Sequence, residues 1–216
     1  MKSIKLIIGL FFISNLLFSQ SDENAKIILD NVSAKTKEYK TIFLEFTNSI
    51  ENKNQGLEKK TTEGSLFIKN DKYKIIFLGN EQLFDGENIY RIINDDLVIE
   101  IYNPEDLEEE AFSPNDILNI YEEGYNFEMG EIKNINNKQT QIIFLFPKSN
   151  EEPFKHIELG IDINKNQITH FVQFGKNGTN TEYYINNFKT NLIDIDSIFI
   201  FDSSHYKNFE TIDLSE

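Results

Sequence analysis

Cysteine is absent from all 216 residues, which removes structural disulfides, thiol nucleophiles and cysteine metal sites together. The same absence removes the leader-peptide cysteine on which a lipid anchor would be built. Positive charge is short: 21 Lys and Arg stand against 36 Asp and Glu, for a formal charge of -15. The lysines are scattered and form no stripe, so nucleic acids and anionic headgroups are disfavoured as partners. Histidine occurs three times, as His156, His170 and His205, and none stands at metal spacing from a second ligand-type residue. A G-x-S-x-G elbow, a P-loop and a glycine-rich dinucleotide fingerprint are all missing. No catalytic residue, metal ligand or cofactor site is therefore nominated, and the chain reads as a protein that is not an enzyme.

Long apolar runs are scarce as well. One occurs, Leu6 to Phe18, preceded by Met1, Lys2 and Lys5 and followed by Ser19-Gln20-Ser21-Asp22. Basic start, apolar centre and small-residue exit are the parts of a secretory signal peptide, and the run falls short of the roughly 20 residues a spanning helix needs. Cleavage is expected after Ser19 or Gln20, giving a signal peptide over 1–19 and one domain over 20–216. Removing Lys2 and Lys5 with the leader takes the charge from -15 to -17. The mature chain of about 195 residues suffices for one core, and it is expected to be a soluble monomer, in the periplasm if the host has two membranes.

Ser21 to Tyr39 has the spacing of an amphipathic helix, with Asp22 to cap it and Ala25, Ile28, Leu29 and Val32 on one stripe. From Thr41 the period changes to two: Ile42, Leu44 and Phe46 alternate with Phe43, Glu45 and Thr47. A loose connection is expected over Asn48 to Lys60. Strands follow at Gly64–Lys69, Tyr73–Leu78, Gln82–Phe84, Asn88–Ile93 and Leu97–Tyr102, joined by turns too short for crossover helices. The sheet is therefore expected to be antiparallel. The acidic run Glu105-Asp106-Leu107-Glu108-Glu109-Glu110 reads as a solvated loop. After it, Ser113-Pro114-Asn115-Asp116 announces a second helix with Ile117, Leu118, Ile120 and Tyr121 on its apolar side. Strands return at Gln141–Phe146, Ile157–Ile163, Gln167–Phe174, Thr181–Phe188 and Ser197–Phe201. The fold class is α+β, mainly antiparallel β. Nineteen Phe and nine Tyr, with no Trp, make a heavy aromatic load for one sheet and two helices to hide. Either the core is unusually aromatic or a ligand covers the remainder.

The order of these pieces resembles the LolA-like outer-membrane lipoprotein carrier family, in particular its Bacteroidetes-type members, over nearly all of Asp22 to Leu214. Five segments carry the resemblance: Gly64-Ser65-Leu66-Phe67-Ile68-Lys69 with Asp71-Lys72-Tyr73-Lys74; Asp85-Gly86-Glu87-Asn88-Ile89-Tyr90; Ser113-Pro114-Asn115-Asp116-Ile117-Leu118; Phe144-Leu145-Phe146-Pro147-Lys148; and Phe199-Ile200-Phe201-Asp202 running to Ile212-Asp213-Leu214. The resemblance implies an incomplete, half-open β-barrel of LolA/LolB type with a helical lid. It implies a periplasmic chaperone that shields the acyl chains of lipoproteins between the inner and outer membranes. Its partners would be acylated lipoproteins and a LolCDE-like ABC transporter in the inner membrane, with the outer-membrane acceptor unspecified. Where the family carries Arg-Pro after the glycine strand, the arginine that latches the lid, this chain has Asn70-Asp71, so a latch by that residue is not implied here.

On this reading Ile42, Leu44, Phe46, Leu66, Ile68, Ile75 and Phe77 line the acyl cavity, and Ile117, Ile120 and Tyr121 belong to the lid. Plain core packing is the alternative for each, because one sequence does not say which face of a sheet is concave. Two other functions stay open: a carrier of free lipid, fatty acid or pigment precursor on the same fold, and an exported hydrolase using His156, His170 or His205.

Overall fold

The computed structural model describes residues 14–107, 124–135 and 137–215. Helix α1 covers Ser14–Lys37. It starts upstream of the expected Ser21, since neither proline nor glycine separates Ser14 from that point and Leu16-Leu17-Phe18 are compatible with a helix. No helix among the described residues is long and apolar enough to cross a membrane.

The strands are β1 (Ile42–Asn52), β2 (Leu57–Lys69), β3 (Lys72–Phe77), β4 (Asn80–Phe84), β5 (Ile89–Ile93), β6 (Val98–Tyr102), β7 (Tyr125–Ile135), β8 (Lys138–Pro147), β9 (Phe154–Asp162), β10 (Gln167–Gly175), β11 (Asn180–Thr190) and β12 (Glu210–Asp213). They form a single sheet in the order β12-β6-β5-β4-β3-β2-β1-β11-β10-β9-β8-β7. The edges β12 and β7 do not pair, so this is an open sheet rather than a closed barrel, mainly antiparallel as expected. One pairing departs from that expectation: β12 lies parallel to β6.

Two further expectations are corrected, and β7 is a strand that the sequence reading did not assign. The loose connection over Asn48 to Lys60 is mostly strand, closed by a short 3-10 turn at Lys53–Gln55 and by Gly56 in the left-handed region, φ 70. Its polar side chains find partners inside the sheet: Asn48 donates to the Glu182 carbonyl at 3.3 Å, and Asn52 donates to Thr179 Oγ1 at 3.0 Å. Strand β7 was not anticipated, because a bulge between Met129 and Ile132 interrupts the alternation of Tyr125, Phe127 and Met129. The expected strand Ser197–Phe201 is instead a 3-10 turn at Asp196–Phe199 followed by irregular chain. Phe199 is buried there against the sheet rather than paired in it. The second helix, with Ile117, Ile120 and Tyr121, lies outside the described residues.

Each face of the sheet has its own cover. Helix α1 places Ala25, Leu29 and Val32 on Ile143, Leu145, Ile157, Leu159 and Ile161, which the strand register puts on one face, here called inner. A single Leu or Ile buried in this way contributes about 1.5–3 kcal/mol of transfer free energy. The outer face of β4 to β6 is covered by the C-terminal segment: Phe199, Ile198 and Phe201 pack on Leu83, Tyr90, Ile92 and Ile99. Phe201 stacks on Tyr90 with ring centroids 4.2 Å apart, and the segment ends by pairing β12 with β6.

Candidate functional site

Beyond α1, the inner face continues across β11, β1, β2 and β3. Register settles which side chains share it: Leu44 opposes Leu66, Leu66 opposes Ile75, Phe46 opposes Gly64 and Gly64 opposes Phe77. These residues form a second apolar cluster with Ile42, Ile68 and Tyr73, joined to the first through Tyr183 and Ile185. Between the two lies a cavity of about 150 Å³, lined on one side by Leu44, Phe46, Leu66, Ile75 and Phe77 and on the other by Ile168, Phe171, Tyr183 and Ile185, with His170 also contributing. Five of the seven strand residues nominated from sequence line this cavity, and Ile42 and Ile68 pack beside it in the same cluster. Ile117, Ile120 and Tyr121 fall outside the described residues. Sequence reading missed the far wall, since Ile168, Phe171, Tyr183 and Ile185 meet β1 only through the long-range β1–β11 pairing.

Aromatic rings shape the cavity. Phe46 lies 5.6 Å from Phe77 and 5.8 Å from Tyr183 between ring centroids, and Phe171 lies 6.0 Å from Tyr183. Gly64 gives Phe46 its place, because a Cβ on Gly64 would stand 2.4 Å from Phe46 Cζ. That close approach is a physical reason for glycine at the head of the apolar segment of β2. Tyr183 is partly buried, and burial pushes its phenol pKa up from a value at which it is already neutral at physiological pH.

The outer face behind the cavity is polar by contrast. His170 and Glu158 face each other across β10 and β9, with His170 Nε2 3.3 Å from Glu158 Oε1 and Lys133 Nζ 3.5 Å from Glu158 Oε2. The hydrogen bond with His170 is the largest influence holding the Glu158 carboxyl below its ordinary pKa. Gly160 makes room for the imidazole, since a Cβ there would sit 2.2 Å from the ring. His156 stacks on Phe174 at 4.4 Å, and burial lowers its pKa. His205 is exposed beside Asp202, 3.7 Å away. The three histidines stand at three separate places; His170 also has the Thr169 hydroxyl 3.5 Å from its Nδ1, and that buried hydroxyl donates to the Gly160 carbonyl at 3.1 Å.

Solved structures of other proteins share this architecture. An uncharacterized conserved protein from Thermus thermophilus has the same fold, with a TM-score of 0.55 at 10% identity, covering 88% of this chain and 99% of that one. MucB is similar at TM-score 0.50 and 12% identity, over 84% of this chain and 64% of MucB. The structure is also similar to a LolA superfamily protein from Nitrosomonas europaea, with TM-score 0.43 and 10% identity over 82% of this chain and 98% of that one. No protein-family model and no curated protein matches the sequence.

Proposed function

We propose that this protein is an exported acyl-chain carrier, a periplasmic chaperone that shields the acyl chains of lipoproteins in passage from the inner to the outer membrane. The observation that carries the reading is the inner-face cavity, with Leu44, Phe46, Leu66, Ile75 and Phe77 on one wall and Ile168, Phe171 and Ile185 on the other. Water contact costs an acyl chain about 0.8 kcal/mol per CH₂, so crossing an aqueous compartment calls for such a covered apolar surface. The order of sequence segments resembling LolA-like carriers supports the same reading. It brings with it, as proposals, the acylated cargo, a LolCDE-like exporter as donor, a monomeric carrier and a signal peptide over residues 1–19. The carrier does no chemistry on its cargo.

Size favours attention to a second reading on the same site. The cavity of about 150 Å³ is below the roughly 300–1,000 Å³ usual for small-molecule sites, which suits part of one chain better than three chains at once. A carrier of single-chain free lipid is the alternative. Native mass spectrometry of the mature protein from its host, followed by denaturing analysis of what travels with it, separates the two. Bound lipoprotein is the expected result, and bound free lipid moves the function to the second reading. Protein that arrives empty and fails to shield an added lipopeptide overturns both.

A further inference from the structure

The cavity wall carries its own chemical instruction. None of its ten lining residues is a lysine or arginine, so an anionic group drawn into it meets no cation. Its polar residues are His170, whose ring is turned to the outer face, and Tyr183. His170 is engaged: its ring lies against Gly160 and its Nε2 is bonded to the Glu158 carboxylate. Tyr183 differs. Its ring is set between Phe46 and Phe171, yet among the described residues nothing hydrogen-bonds its hydroxyl, and burial holds its phenol pKa above the ordinary value. A donor at the wall of an apolar cavity, with no acceptor among the described residues, calls for an acceptor on the ligand.

We infer that Tyr183 is a specificity residue, donating its hydroxyl hydrogen to the carbonyl of a conjugated acyl chain, an ester or amide, and that the cavity discriminates against free fatty acids. This rests on the acyl-carrier reading above and narrows its ligand class. A free carboxylate could accept the same hydrogen bond, but it brings a charge whose desolvation a single neutral donor does not offset. An ester or amide carbonyl brings the same chain with an uncharged acceptor. Both a lipoprotein and a glycerolipid supply that carbonyl.

The test uses the mature chain, wild type and Tyr183→Phe, with three probes at pH 8.5: diphenylhexatriene, monomyristoylglycerol and myristate. Tyr183→Phe keeps the ring and removes only the hydroxyl, so diphenylhexatriene, which has no acceptor for it, reports whether the cavity of the variant still binds an apolar ligand. Wild type is expected to bind the ester at least about tenfold more tightly than the free acid. Tyr183→Phe is expected to lose about five- to tenfold for the ester, the worth of one neutral hydrogen bond, with little change for myristate. A diacylglyceryl lipopeptide run beside the ester identifies the source: Tyr183-dependent binding that is tighter for the lipopeptide assigns a protein-linked chain, and the reverse assigns a glycerolipid. Equal affinity for ester and acid, or an ester affinity untouched by Tyr183→Phe while diphenylhexatriene still binds, overturns the inference and leaves the carrier reading standing. Failure of wild type to bind any of the probes overturns the carrier reading itself, and the inference with it.

Discussion

Across its inner face the sheet has two halves with the same backbone and different fillings. Over β8 and β9 the filling is mostly aliphatic: Ile143, Leu145, Ile157, Leu159 and Ile161 are fully buried beneath Ala25, Leu29 and Val32, with Phe154 the one buried ring on these two strands. Over β1 to β3 it turns aromatic, with Phe46, Tyr73 and Phe77 among Leu44, Leu66 and Ile75, and Tyr183 facing them from β11. Branched aliphatic side chains interdigitate to crystal-like density. Rings held at tilted angles, such as Phe46 on Phe77 at 45°, close a space less completely, and the cavity lies on that side. The difference teaches that the aromatic load noticed in the sequence is spent partly on shaping a void rather than on filling a core.

Truncations in the two halves break or sharpen this contrast most sharply. Leu159→Ala, under the helix, is expected to cost about 4 kcal/mol, toward the upper end for buried leucine. Leu44→Ala borders existing space, so it is expected to cost about 2 kcal/mol, at the lower end, and to enlarge the cavity for larger hydrophobic probes. Urea unfolding of both variants measures the pair, and equal losses would mean that the two halves are packed alike.

Two glycines give a finer version of the same comparison. At Gly160 a new methyl meets the His170 ring at 2.2 Å and Thr140 Cγ2 at 2.9 Å, both held inside the sheet. Gly160→Ala is therefore expected to cost about 2–3 kcal/mol, seen as a lowered urea midpoint. At Gly64 the new methyl meets the far tip of Phe46, which has the cavity beside it to move into, and stands 3.0 Å from the Ile76 carbonyl oxygen. Gly64→Ala is expected to cost about 1 kcal/mol while reducing diphenylhexatriene binding, because the displaced ring occupies the site. A Gly64→Ala variant that binds the probe normally would separate Phe46 from the cavity wall.

How far the sequence carried this picture follows from the same residues. The alternation of Ile42, Leu44 and Phe46 made β1 legible, and the turn residues around Asp71 and Asp85 placed the hairpins that follow. The near wall of the cavity was visible because its residues lie on strands adjacent in sequence. The far wall was not, since Tyr183 reaches Phe46 only after β11 pairs with β1, more than a hundred residues away. Periodicity also misread the C-terminal segment: Phe199, Ile200 and Phe201 look like a strand, but Phe199 and Phe201 anchor a cover on the outer face. The polar extension of β1 was hidden for the opposite reason, as the amides of Asn48 and Asn52 find long-range partners in the Glu182 carbonyl and Thr179 Oγ1.

Acid separates the outer face behind the two halves from the cavity itself. His156 has its pKa lowered from 6.5, chiefly by burial, and Glu158 has its own lowered from 4.5, chiefly by the His170 hydrogen bond. In both cases the unfolded chain binds protons more readily than the folded one, so stability rises with pH across each window. The His156 contribution is complete above 6.5 and is lost as pH falls through its lower folded value. The Glu158 contribution is complete above 4.5 and is lost below it. The melting temperature is therefore expected to fall in two stages on acidification. His156→Phe, which keeps a ring against Phe174, should flatten the first stage and leave the second. An unchanged first stage would assign it to another group.

The smallest effect is expected at the fastening of the outer cover. Lys69 on β2 pairs with Asp196 at the start of the C-terminal segment, but the aspartate side chain is 74% exposed. Solvent screening holds such a pair to about 0–1 kcal/mol. The apolar anchors of the segment, Phe199 buried against Leu83 and Ile92 and Phe201 stacked on Tyr90, carry far more. Asp196→Ala is accordingly expected to lower stability by less than about 1 kcal/mol, whereas Phe199→Ala should cost about 3–5 kcal/mol. Neither change touches the inner face, so diphenylhexatriene binding should survive Asp196→Ala unaltered. A loss of probe binding in that variant would mean that the covers on the two faces act on one another through the sheet, and that the outer segment helps set the shape of the cavity.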